Sequence, residues 1–297
     1  MDGNSILNRA KEVFQGISIS EEQAKLIESA TRAQRACSEW MKQRVGRLTA
    51  SSFHDVFVRR DTTDPEPLIK HIMGYDQSDL SSIPAIKWGI ENETTAREEY
   101  IVTMSSSHAS FKCDLAGLVI NPLYPFLGAS PDGFTECDCC GKGLLEIKCP
   151  FSGKDLHPSA LKGRPGSFLT DGGLNRSHKY YTQVQGQLAI TNRQFCDFVV
   201  WTPIGLITQR IYHDSFFGEK VVKKLTSCFV ENILPEILTN KLKRSLESDD
   251  ECVYSVCQGR VQGGRMIGCD NPSCIYHYQC IGIKRAPKGS WYCPSCK

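Results

Sequence analysis

Cysteine is unevenly distributed along the chain, and this distribution constrains the fold more than any other feature of the sequence. Seven of the fifteen cysteines lie between Cys252 and Cys296. With one histidine, the candidate metal ligands of this segment are Cys252, Cys257, Cys269, Cys274, His277, Cys280, Cys293 and Cys296. Thiolates and imidazoles in groups of four form closed tetrahedral zinc sites. The segment therefore predicts a small module that two Zn²⁺ ions stabilise, in a compartment that keeps thiols reduced.

An acidic joint at residues 246–251 separates this segment from the rest of the chain. We expect an N-terminal helical segment over residues 1–37, a large domain over 38–246 and the zinc module over 247–297. The sequence has 297 residues, 40% of them hydrophobic, which is ample for a globular core beside the module. No signal-like run and no stretch of membrane-spanning length occurs, so we expect an intracellular protein without a membrane partner.

Hydrophobic periodicity indicates the elements of the large domain. Predicted helices cover residues 85–104, 178–190 and 214–246, and predicted strands cover 115–119, 127–129, 144–149, 195–201 and 206–213. Helices before and after a group of strands are typical of an α/β or α+β fold around a central sheet. The second of these helices places Gln183 and Gln187 on one face.

Two carboxylates and a lysine stand at the centre of this pattern. If residues 144–149 form a strand, Glu146 and Lys148 lie on one face, because successive side chains alternate. Asp132 ends a turn and could then lie beside Glu146. Magnesium binds one or two carboxylates plus waters and substrate phosphates, which is the chemistry of metal-assisted phosphodiester hydrolysis. A surface hairpin with ordinary ion pairs has the same pattern, so these residues alone are weak evidence.

Five sequence blocks in a fixed order surround these residues. They are Arg44-x-Gly46-x-x-Thr49-Ala50-Ser51, Trp88-Gly89-x-x-x-Glu93-x-x-Ala96-Arg97, Ser130-Pro131-Asp132-Gly133, Leu145-Glu146-Ile147-Lys148-Cys149-Pro150-Phe151 and Tyr181-x-Gln183-Val184-Gln185. With these blocks, residues 38–240 resemble the lambda-exonuclease or YqaJ family of viral recombination nucleases, members of the PD-(D/E)xK superfamily. The resemblance implies a restriction-endonuclease-like fold, with a central mixed sheet flanked by helices.

The same resemblance implies an activity and a role for each matched residue. The expected enzyme hydrolyses DNA from duplex ends, 5′ to 3′, and can form a ring-shaped homotrimer that encloses DNA. Asp132 and Glu146 would hold Mg²⁺ or Mn²⁺, with the Ile147 carbonyl as a further ligand. Glu93 would help to place a second metal or its waters. Lys148 would orient or deprotonate the attacking water and offset developing negative charge.

A second group of matched residues is expected to bind the DNA end. Arg44 and Ser51 match the family positions that grip the terminal 5′-phosphate, and Gln183 is expected to join them. A guanidinium and a hydroxyl suit a phosphate dianion. Without the resemblance, Arg44 would be interpreted as a solvated charge at a helix end. Glu91 competes with Glu93 as the helix ligand, but only Glu93 has the family spacing.

Two other functions stay open at this point. One is an endonuclease of the same fold that cuts internal sites or flaps, and the other is a chromatin-binding adaptor that no longer cuts. The competent residue at every matched catalytic position speaks against the adaptor, and the predicted phosphate ligands favour end recognition.

Basic residues follow the predicted active strand, although the net charge of +2 does not itself indicate a nucleic-acid-binding protein. They are Lys154, Lys162, Arg164, Arg176 and Lys179. They either line a channel for the DNA backbone or belong to a flexible, solvated loop, and the sequence favours neither interpretation.

Cys137, Cys139 and Cys140 form a smaller group of thiols inside the large domain. Because no Cys-x-x-Cys partner lies nearby in the sequence, we expect a hairpin tip with thiols rather than a metal site.

The C-terminal segment resembles the PHD finger, a cross-braced two-zinc module that commonly reads histone tails. Residues 263–270 and 287–293 carry the resemblance. It implies that Cys269, Cys274, Cys293 and Cys296 share one zinc, and that Cys257, His277, Cys280 and a fourth ligand share the other. Cys252 is the available fourth thiol at a long spacing, since Ser255 occupies the nearer position.

The resemblance to the PHD finger also implies a partner and a location. The partner would be a histone tail or another protein, and the location would be the nucleus. Tyr254 and Met266 could form walls of an aromatic-type cage, which binds methylated ammonium by cation–π attraction. Ile275 replaces a tryptophan that is common at this position, so methyl-lysine binding is only a hypothesis.

Overall fold

The computed structural model describes most of the chain, as two compact units that are treated separately. The described residues are 3–76, 82–250, 266–268, 275–278, 283–285, 287 and 289–292. In the range 82–250, side chains are described as far as residue 246. The units are Met1–Thr239 and Asn240–Lys297.

The described part of the first unit alternates helices with short and long strands. Its strands are β1 (Leu48–Thr49), β2 (Lys112–Asp114), β3 (Leu127–Gly128), β4 (Gly133–Cys137), β5 (Gly141–Lys148), β6 (Leu169–Thr170), β7 (Gly173–Leu174), β8 (Phe195–Thr202) and β9 (Gly205–Tyr212). Its α-helices are α1 (Gly3–Gly16), α2 (Glu21–Ala30), α3 (Ser38–Arg44), α4 (Phe53–Phe57), α5 (Glu66–Ile72), α6 (Pro84–Ser105), α7 (Lys179–Thr191), α8 (Ser215–Cys228) and α9 (Leu234–Thr239).

A five-stranded sheet in the order β2-β4-β5-β8-β9 forms the centre of this unit. β5 and β8 pair in parallel and the other neighbours pair antiparallel, so the sheet is mixed. All eight residues of β8 are buried, as expected of a central strand covered on both faces. This mixed sheet with flanking helices confirms the predicted fold class.

Helices α6 and α7 cover opposite faces of the sheet. Leu145 and Ile147 of β5 pack in the same core as α6, whereas Leu144 packs in the core that contains α7. Because alternate strand residues point to opposite faces, Glu146 points toward α7. The side chains of α7 therefore decide the environment of Glu146.

The N-terminal helix packs into the largest hydrophobic core. Ala10 of α1 is fully buried, and the Phe14 ring lies 5.2 Å from the ring of Phe126 and 6.0 Å from that of Phe229. Residues of α4, α8, β1 and β3 fill the rest of this core. Helix α1 thus belongs to the same compact unit as the sheet, and the boundary expected between residues 37 and 38 stays a prediction.

Polar side chains mark the ends of several helices. Ser20 accepts a hydrogen bond from the Gln23 N–H at 3.1 Å, and the Gln23 side chain accepts from the Ser20 N–H at 2.9 Å, forming a capping box at the start of α2. Asp214 accepts from the Phe217 N–H at 3.0 Å at the start of α8. Asn192, in the left-handed conformation with φ +52°, ends α7.

The strand predicted over residues 115–119 is wrong in position. β2 comes earlier in the chain, and Val119 makes only an isolated antiparallel bridge with Ala129. The reason is a competing partner, because the Leu118 N–H donates to the Thr31 hydroxyl at 2.8 Å instead of to a strand.

The helix predicted over residues 214–246 is interrupted. A π-helical turn, Phe229–Ile233, joins α8 to α9, and Asn240 with φ +47° follows the end of α9. In the second unit, the described elements are α10 (Lys241–Asp250) and an antiparallel pair, β10 (Met266–Gly268) and β11 (Ile275–His277). None of the helices in the described ranges combines the length and apolar character needed to cross a bilayer.

Gly186 allows α7 to approach α4 closely. A β-carbon at this position would lie 2.3 Å from the ring of Phe53, which is 1% exposed and has little room to move. We therefore expect Gly186→Ala to lower the free energy of unfolding by about 1–3 kcal/mol.

The matched control is Gly89→Ala in α6, where nothing lies within 4 Å of the added β-carbon. This change should raise the free energy of unfolding by about 0.5–1 kcal/mol, since alanine favours a helix over glycine. Denaturant titration measures both variants, and effects of the same sign would contradict the packing of Gly186 against Phe53.

Candidate active site

Asp132 lies where the pairing of β4 with β5 ends. Gly133 is opposite Leu145 in the ladder, and the Asp132 N–H donates to the Leu145 carbonyl at 2.9 Å. β4 begins at this point, so the Ile147 N–H donates to Asp132 Oδ2 instead, at 2.6 Å. Because a strand residue directs its N–H and C=O to the same edge, the Ile147 carbonyl also faces the edge where Asp132 lies.

Glu146 is a buried carboxylate, 1% exposed, that is surrounded by hydrogen-bond donors. Gln183 Nε2 donates to its Oε1 and Gln187 Nε2 donates to its Oε2, each at 2.7 Å. The Lys148 ammonium also donates to Oε1. The two glutamines are one helical turn apart and therefore project from the same face of α7. Both oxygens of Glu146 are thus held in place.

Glu93 reaches the same site from α6. It accepts a hydrogen bond from Arg97 at 2.7 Å, and its side chain is 42% exposed. The charges of Glu146 and Glu93 both raise the pKa of Asp132, which places the three carboxylates near one another. Glu91 instead forms an ion pair with Lys87 on the exposed surface of the same helix. The structure therefore brings the predicted carboxylates together around Glu93 rather than Glu91.

The charges of this site are unbalanced. Burial raises the pKa of Asp132 well above its usual range, and the neighbouring charges of Glu146 and Glu93 raise it further. Burial alone would lower the pKa of Lys148, but the attraction of Glu146 and Asp132 outweighs it, and the pKa is raised. Lys148 therefore keeps its proton at neutral pH, with its ammonium 4.7 Å from the centre of the Tyr180 ring.

The donor set suits a hard divalent cation. Carboxylates and backbone carbonyls are the oxygen ligands that Mg²⁺ and Mn²⁺ prefer. Two cations, Lys148 and the Arg97 partner of Glu93, cannot neutralise three carboxylates, and a bound dication would offset the repulsion that raises the pKa of Asp132. Asp132, Glu146, Glu93 and the Ile147 carbonyl therefore fit a metal centre.

Arg44 and Ser51 lie together in a separate part of the unit. The Arg44 guanidinium stacks 4.1 Å above the centre of the Trp40 ring and donates to Ser51 Oγ at 3.4 Å. Arg44 lines an open cleft of about 360 Å³ together with Arg35. These contacts hold the guanidinium at the cleft while Ser51 remains exposed.

The charge of Arg44 is not balanced locally. Within residues 3–76 and 82–246, no carboxylate lies within 4.0 Å of its guanidinium. Burial, with a contribution from Arg35, lowers the pKa of Arg44 to about 10, so the side chain stays charged at neutral pH. A partly buried cation beside a second cation suits an anionic ligand such as a phosphate.

Two side chains connect this cleft with the carboxylates. Trp40 Nε1 donates to Ser130 Oγ at 2.9 Å, and Gln34 Nε2 donates to the Pro131 carbonyl at 3.0 Å. Both bonds reach the segment directly before Asp132. Sequence reasoning missed these positioning roles, because the contacts span 90 and 97 residues and carry no local pattern.

The structure places Gln183 against Glu146, and its expected contact with a 5′-phosphate stays a prediction. Helix α7 nevertheless lies beside the segment that follows Arg44, since His54 Nδ1 and Thr182 Oγ1 are 3.0 Å apart. Gln187 was not predicted as a site residue. Its signal was the helical face that it shares with Gln183.

The basic residues after β5 are mostly on the surface. Lys162, Arg164, Arg176 and Lys179 are exposed, and Lys154 is half-buried with its ammonium 5.0 Å from the centre of the Phe151 ring. Both interpretations of this segment, a DNA channel and a solvated loop, stay open.

The predicted zinc ligands of the C-terminal module lie outside the described residues, apart from the backbone of His277 in β11. The assignment of ligands to two sites, including the role of Cys252, stays a prediction. What the structure describes there is the short pairing of β10 with β11, in which Ile267 lies opposite Tyr276.

Comparison with known protein families supports both resemblances. The profile of the family described as YqaJ-like viral recombinase domain matches residues 39–194, just over half of the 297 residues. The profile of the PHD-finger matches residues 254–296. The chain therefore combines an exonuclease-type domain with a C-terminal PHD finger.

Solved structures similar to this chain include an alkaline exonuclease, LHK-Exo, from Laribacter hongkongensis. The two share 26% identity and a TM-score of 0.52 over 71% of this chain and 98% of that chain. The complex of LHK-Exo with dAMP gives 27% identity and a TM-score of 0.52 over 70% and 98%. These similarities support a nuclease.

Relatives among characterised proteins match only a short stretch. Chromatin modification-related protein YNG2 of Saccharomyces cerevisiae is 50% identical over 54 residues, which are 17% of this chain and 19% of that protein. Inhibitor of growth protein 3 of Xenopus laevis is 42% identical over 66 residues, 21% and 16% of the two chains. The chain thus spans less than a fifth of the length of these relatives.

The raised pKa of Asp132 has a consequence for stability in buffer freed of Mg²⁺. A carboxyl whose pKa is raised by folding stabilises the protein at low pH, and this stability is lost as the pH rises through the raised pKa. Asp132→Asn removes the charge, so it should be more stable than the wild type at pH 8. We expect this gain to exceed the roughly 0.5 kcal/mol that ordinary surface substitutions produce and to shrink toward acidic pH.

Denaturant unfolding at several values between acidic pH and pH 8 measures this difference in stability. No chelator is added, so that zinc stays bound. Asp55→Asn on the exposed surface is the control and should change stability by less than about 0.5 kcal/mol. Added Mg²⁺ should reduce the advantage of Asp132→Asn. A variant that is less stable than the wild type at pH 8 would show that the carboxylates do not repel one another.

Proposed function

The chain belongs to the YqaJ-like viral recombinase domain family, and on this premise we propose that it is a metal-dependent deoxyribonuclease that degrades DNA from duplex ends. The observation that supports this proposal most is the convergence of Glu93, Asp132 and Glu146 with Lys148 at one end of the β4–β5 hairpin. Three carboxylates that outnumber the two cations Lys148 and Arg97 have little structural purpose but suit phosphodiester hydrolysis.

Asp132, Glu146, Glu93 and the Ile147 carbonyl would hold Mg²⁺ or Mn²⁺. When bound, such an ion supplies Lewis-acid activation of water and of the phosphate. The protein contributes a rigid set of ligands, because Gln183 and Gln187 fix both oxygens of Glu146 and the Ile147 N–H fixes one oxygen of Asp132. Such support limits the reorganisation needed during reaction.

Lys148 is suited to stabilising negative charge. Its pKa is raised by Glu146 and Asp132 despite its burial, so it is an ammonium at neutral pH and not a free base. It can donate a hydrogen bond to the attacking water or to a phosphate oxygen. We therefore favour the orienting and charge-offsetting role of Lys148 over deprotonation of the water.

The cleft lined by Arg44, with Ser51 bonded to its guanidinium, is the proposed site for the terminal 5′-phosphate. Recognition of that phosphate by Arg44, together with a scissile bond at Asp132, would give 5′ to 3′ polarity. The exposed basic residues after β5 are proposed to carry the DNA backbone, which a steep salt dependence of binding would reveal. A homotrimer around DNA is also proposed, and a solution mass of one chain would exclude it.

The PHD finger is proposed to bring this nuclease to chromatin by binding a histone tail, and hence to the nucleus. Support comes from the local similarity to YNG2 and inhibitor of growth protein 3. Fluorescence anisotropy with unmodified and lysine-methylated histone peptides tests the binding. Unchanged binding in the zinc-ligand variant Cys293→Ser would argue against it.

Catalysis should depend on Glu146 and Lys148. Glu146→Gln and Lys148→Ala are each expected to lower the rate of DNA hydrolysis by at least about 100-fold while the far-ultraviolet circular dichroism is unchanged. The matched controls are Glu136→Gln and Lys142→Ala on the same hairpin, whose side chains are 56% and 62% exposed and 3.9 Å apart. Both controls should keep activity. Full activity in either site variant would refute the mechanism.

The same assay, with Mg²⁺, decides between the three candidate functions. Blunt linear duplex, nicked circles and closed circles serve as substrates, with the linear duplex labelled at either the 5′ or the 3′ end. Stepwise loss from 5′-phosphorylated ends supports the proposed exonuclease. Cutting of closed circles indicates an endonuclease, and failure to cut any substrate indicates an adaptor.

Arg44 should determine the preference for phosphorylated ends. A hydrogen bond between charged groups contributes about 1.5–3 kcal/mol, so Arg44→Ala should reduce the ratio of rates on 5′-phosphate and 5′-hydroxyl ends roughly tenfold or more. The rate on 5′-hydroxyl ends should change little. Arg9→Ala, an exposed position on α1, is the control. An unchanged ratio in Arg44→Ala would place the phosphate elsewhere.

A further inference from the structure

Four potential metal ligands meet at the tip of the β4–β5 hairpin, at the opposite end from the carboxylates. They are His108, Cys137, Cys139 and Cys140, and we name them the hairpin cluster. One ligand atom from each lies within 4.8 Å of all the others. The position of the cysteines at a hairpin tip is as predicted from the sequence, whereas the expectation that they do not form a metal site is at odds with the way the four ligand atoms converge. The histidine was missed, because it comes from a different segment.

Four separations within the hairpin cluster are close to those of a tetrahedral zinc site, and a fifth, between His108 and Cys139, is shorter. With Zn–S near 2.3 Å and Zn–N near 2.0–2.1 Å, a tetrahedral ion places two sulfurs about 3.8 Å apart and sulfur and nitrogen about 3.6 Å apart. The sulfur of Cys139 lies 3.5 Å from that of Cys137 and 3.7 Å from that of Cys140. His108 Nδ1 lies 3.6 Å from Cys137, 3.5 Å from Cys140 and 3.0 Å from Cys139.

Strand register explains how His108 reaches the thiols. Lys112 of β2 pairs with Glu136 of β4, so the residues just before β2 lie beside the end of β4. The turn after β4 is fixed to the same segment, because the Asp138 N–H donates to the Ala109 carbonyl at 3.1 Å. The Ser110 hydroxyl also donates to Asp138 Oδ2 at 2.7 Å. The histidine is thus positioned by bonds that do not involve the thiols.

We propose that the hairpin cluster binds a structural Zn²⁺ ion, a third zinc site in addition to the two expected in the PHD finger. Three thiolates and one imidazole are a known ligand set of closed structural zinc sites. Their softness separates this site from the hard oxygen donors around Asp132. The three thiolates leave a net charge of −1 on the complex, and the guanidinium of Arg210, which also pairs with Asp197, lies close enough to interact with the Cys140 thiol.

The proposed ion would join the two elements that carry the carboxylates. His108 follows the end of α6, which holds Glu93. Cys137 ends β4, and Cys139 and Cys140 lie in the turn between β4 and β5, whose other ends carry Asp132 and Glu146. Because structural zinc sites contribute directly to folding energy, the ion would fix α6 relative to the hairpin. This role is independent of whether the protein cuts DNA.

Zinc content of the full chain tests the proposal. The protein is purified without added metal and dialysed. Inductively coupled plasma mass spectrometry then gives the number of zinc ions per chain. His108→Ala and Cys139→Ala are each expected to contain one zinc ion fewer than the wild type. Cys37→Ser, a thiol outside the cluster, is the control and should keep the wild-type content. Equal zinc content in the wild type and in folded cluster variants would overturn the proposal.

Alkylation of the wild-type protein gives a second test that requires no variant. Cys139 is exposed, so a free thiol there would react quickly with iodoacetamide, whereas a zinc-bound thiolate would be protected. Peptide mass spectrometry should show protection of Cys137, Cys139 and Cys140 that a chelator removes. Rapid modification of Cys139 in the native protein would overturn the proposal, as would a disulfide within the cluster, detected by the mass of the unreduced peptide.

Discussion

The burial of the Glu146 carboxylate is the constraint on which the rest of the site depends. A charge removed from water costs several kcal/mol unless it is paired and hydrogen bonded. Here α7 supplies the amides of Gln183 and Gln187, and β5 itself supplies Lys148. Helix α7 must therefore lie at one distance and one rotation above the sheet. Since the same helix packs on the segment after Arg44, the position of Glu146 also fixes the cleft beside Arg44 relative to the carboxylates.

A second buried carboxylate on the same sheet shows what a purely structural charge looks like. Asp197 is 1% exposed and accepts two hydrogen bonds from Arg210, at 2.8 and 2.9 Å, and one from the Tyr100 hydroxyl at 2.7 Å. Among the described residues, no arginine or tyrosine donates to Asp132, and the charges of Glu146 and Glu93 act on it instead. This contrast between a compensated and an uncompensated carboxylate supports the proposal that Asp132 is a metal ligand.

Local signals in the sequence predicted the residues at the centre of the site, but they did not indicate the contacts between distant segments. Strand alternation predicted that Glu146 and Lys148 share a face, and they are in contact. No spacing rule indicated that Trp40 holds Ser130 across 90 residues. The strand predicted over residues 115–119 is misplaced for the same reason. The Leu118 N–H donates to the Thr31 hydroxyl at the end of α2, and this bond depends on tertiary structure.

The β4–β5 hairpin thus has two ends with opposite chemistry. At one end, carboxylate oxygens repel one another and favour the binding of a hard cation. At the other end, three thiols and an imidazole form a set of soft ligands. Five paired residues in β4 keep the ends apart, and the two ligand sets differ in softness, so the proposed zinc ion and a hard cation would prefer different ends. A rigid strand pair fixed at its tip would hold the carboxylate end still, which matters because small displacements of catalytic ligands are costly.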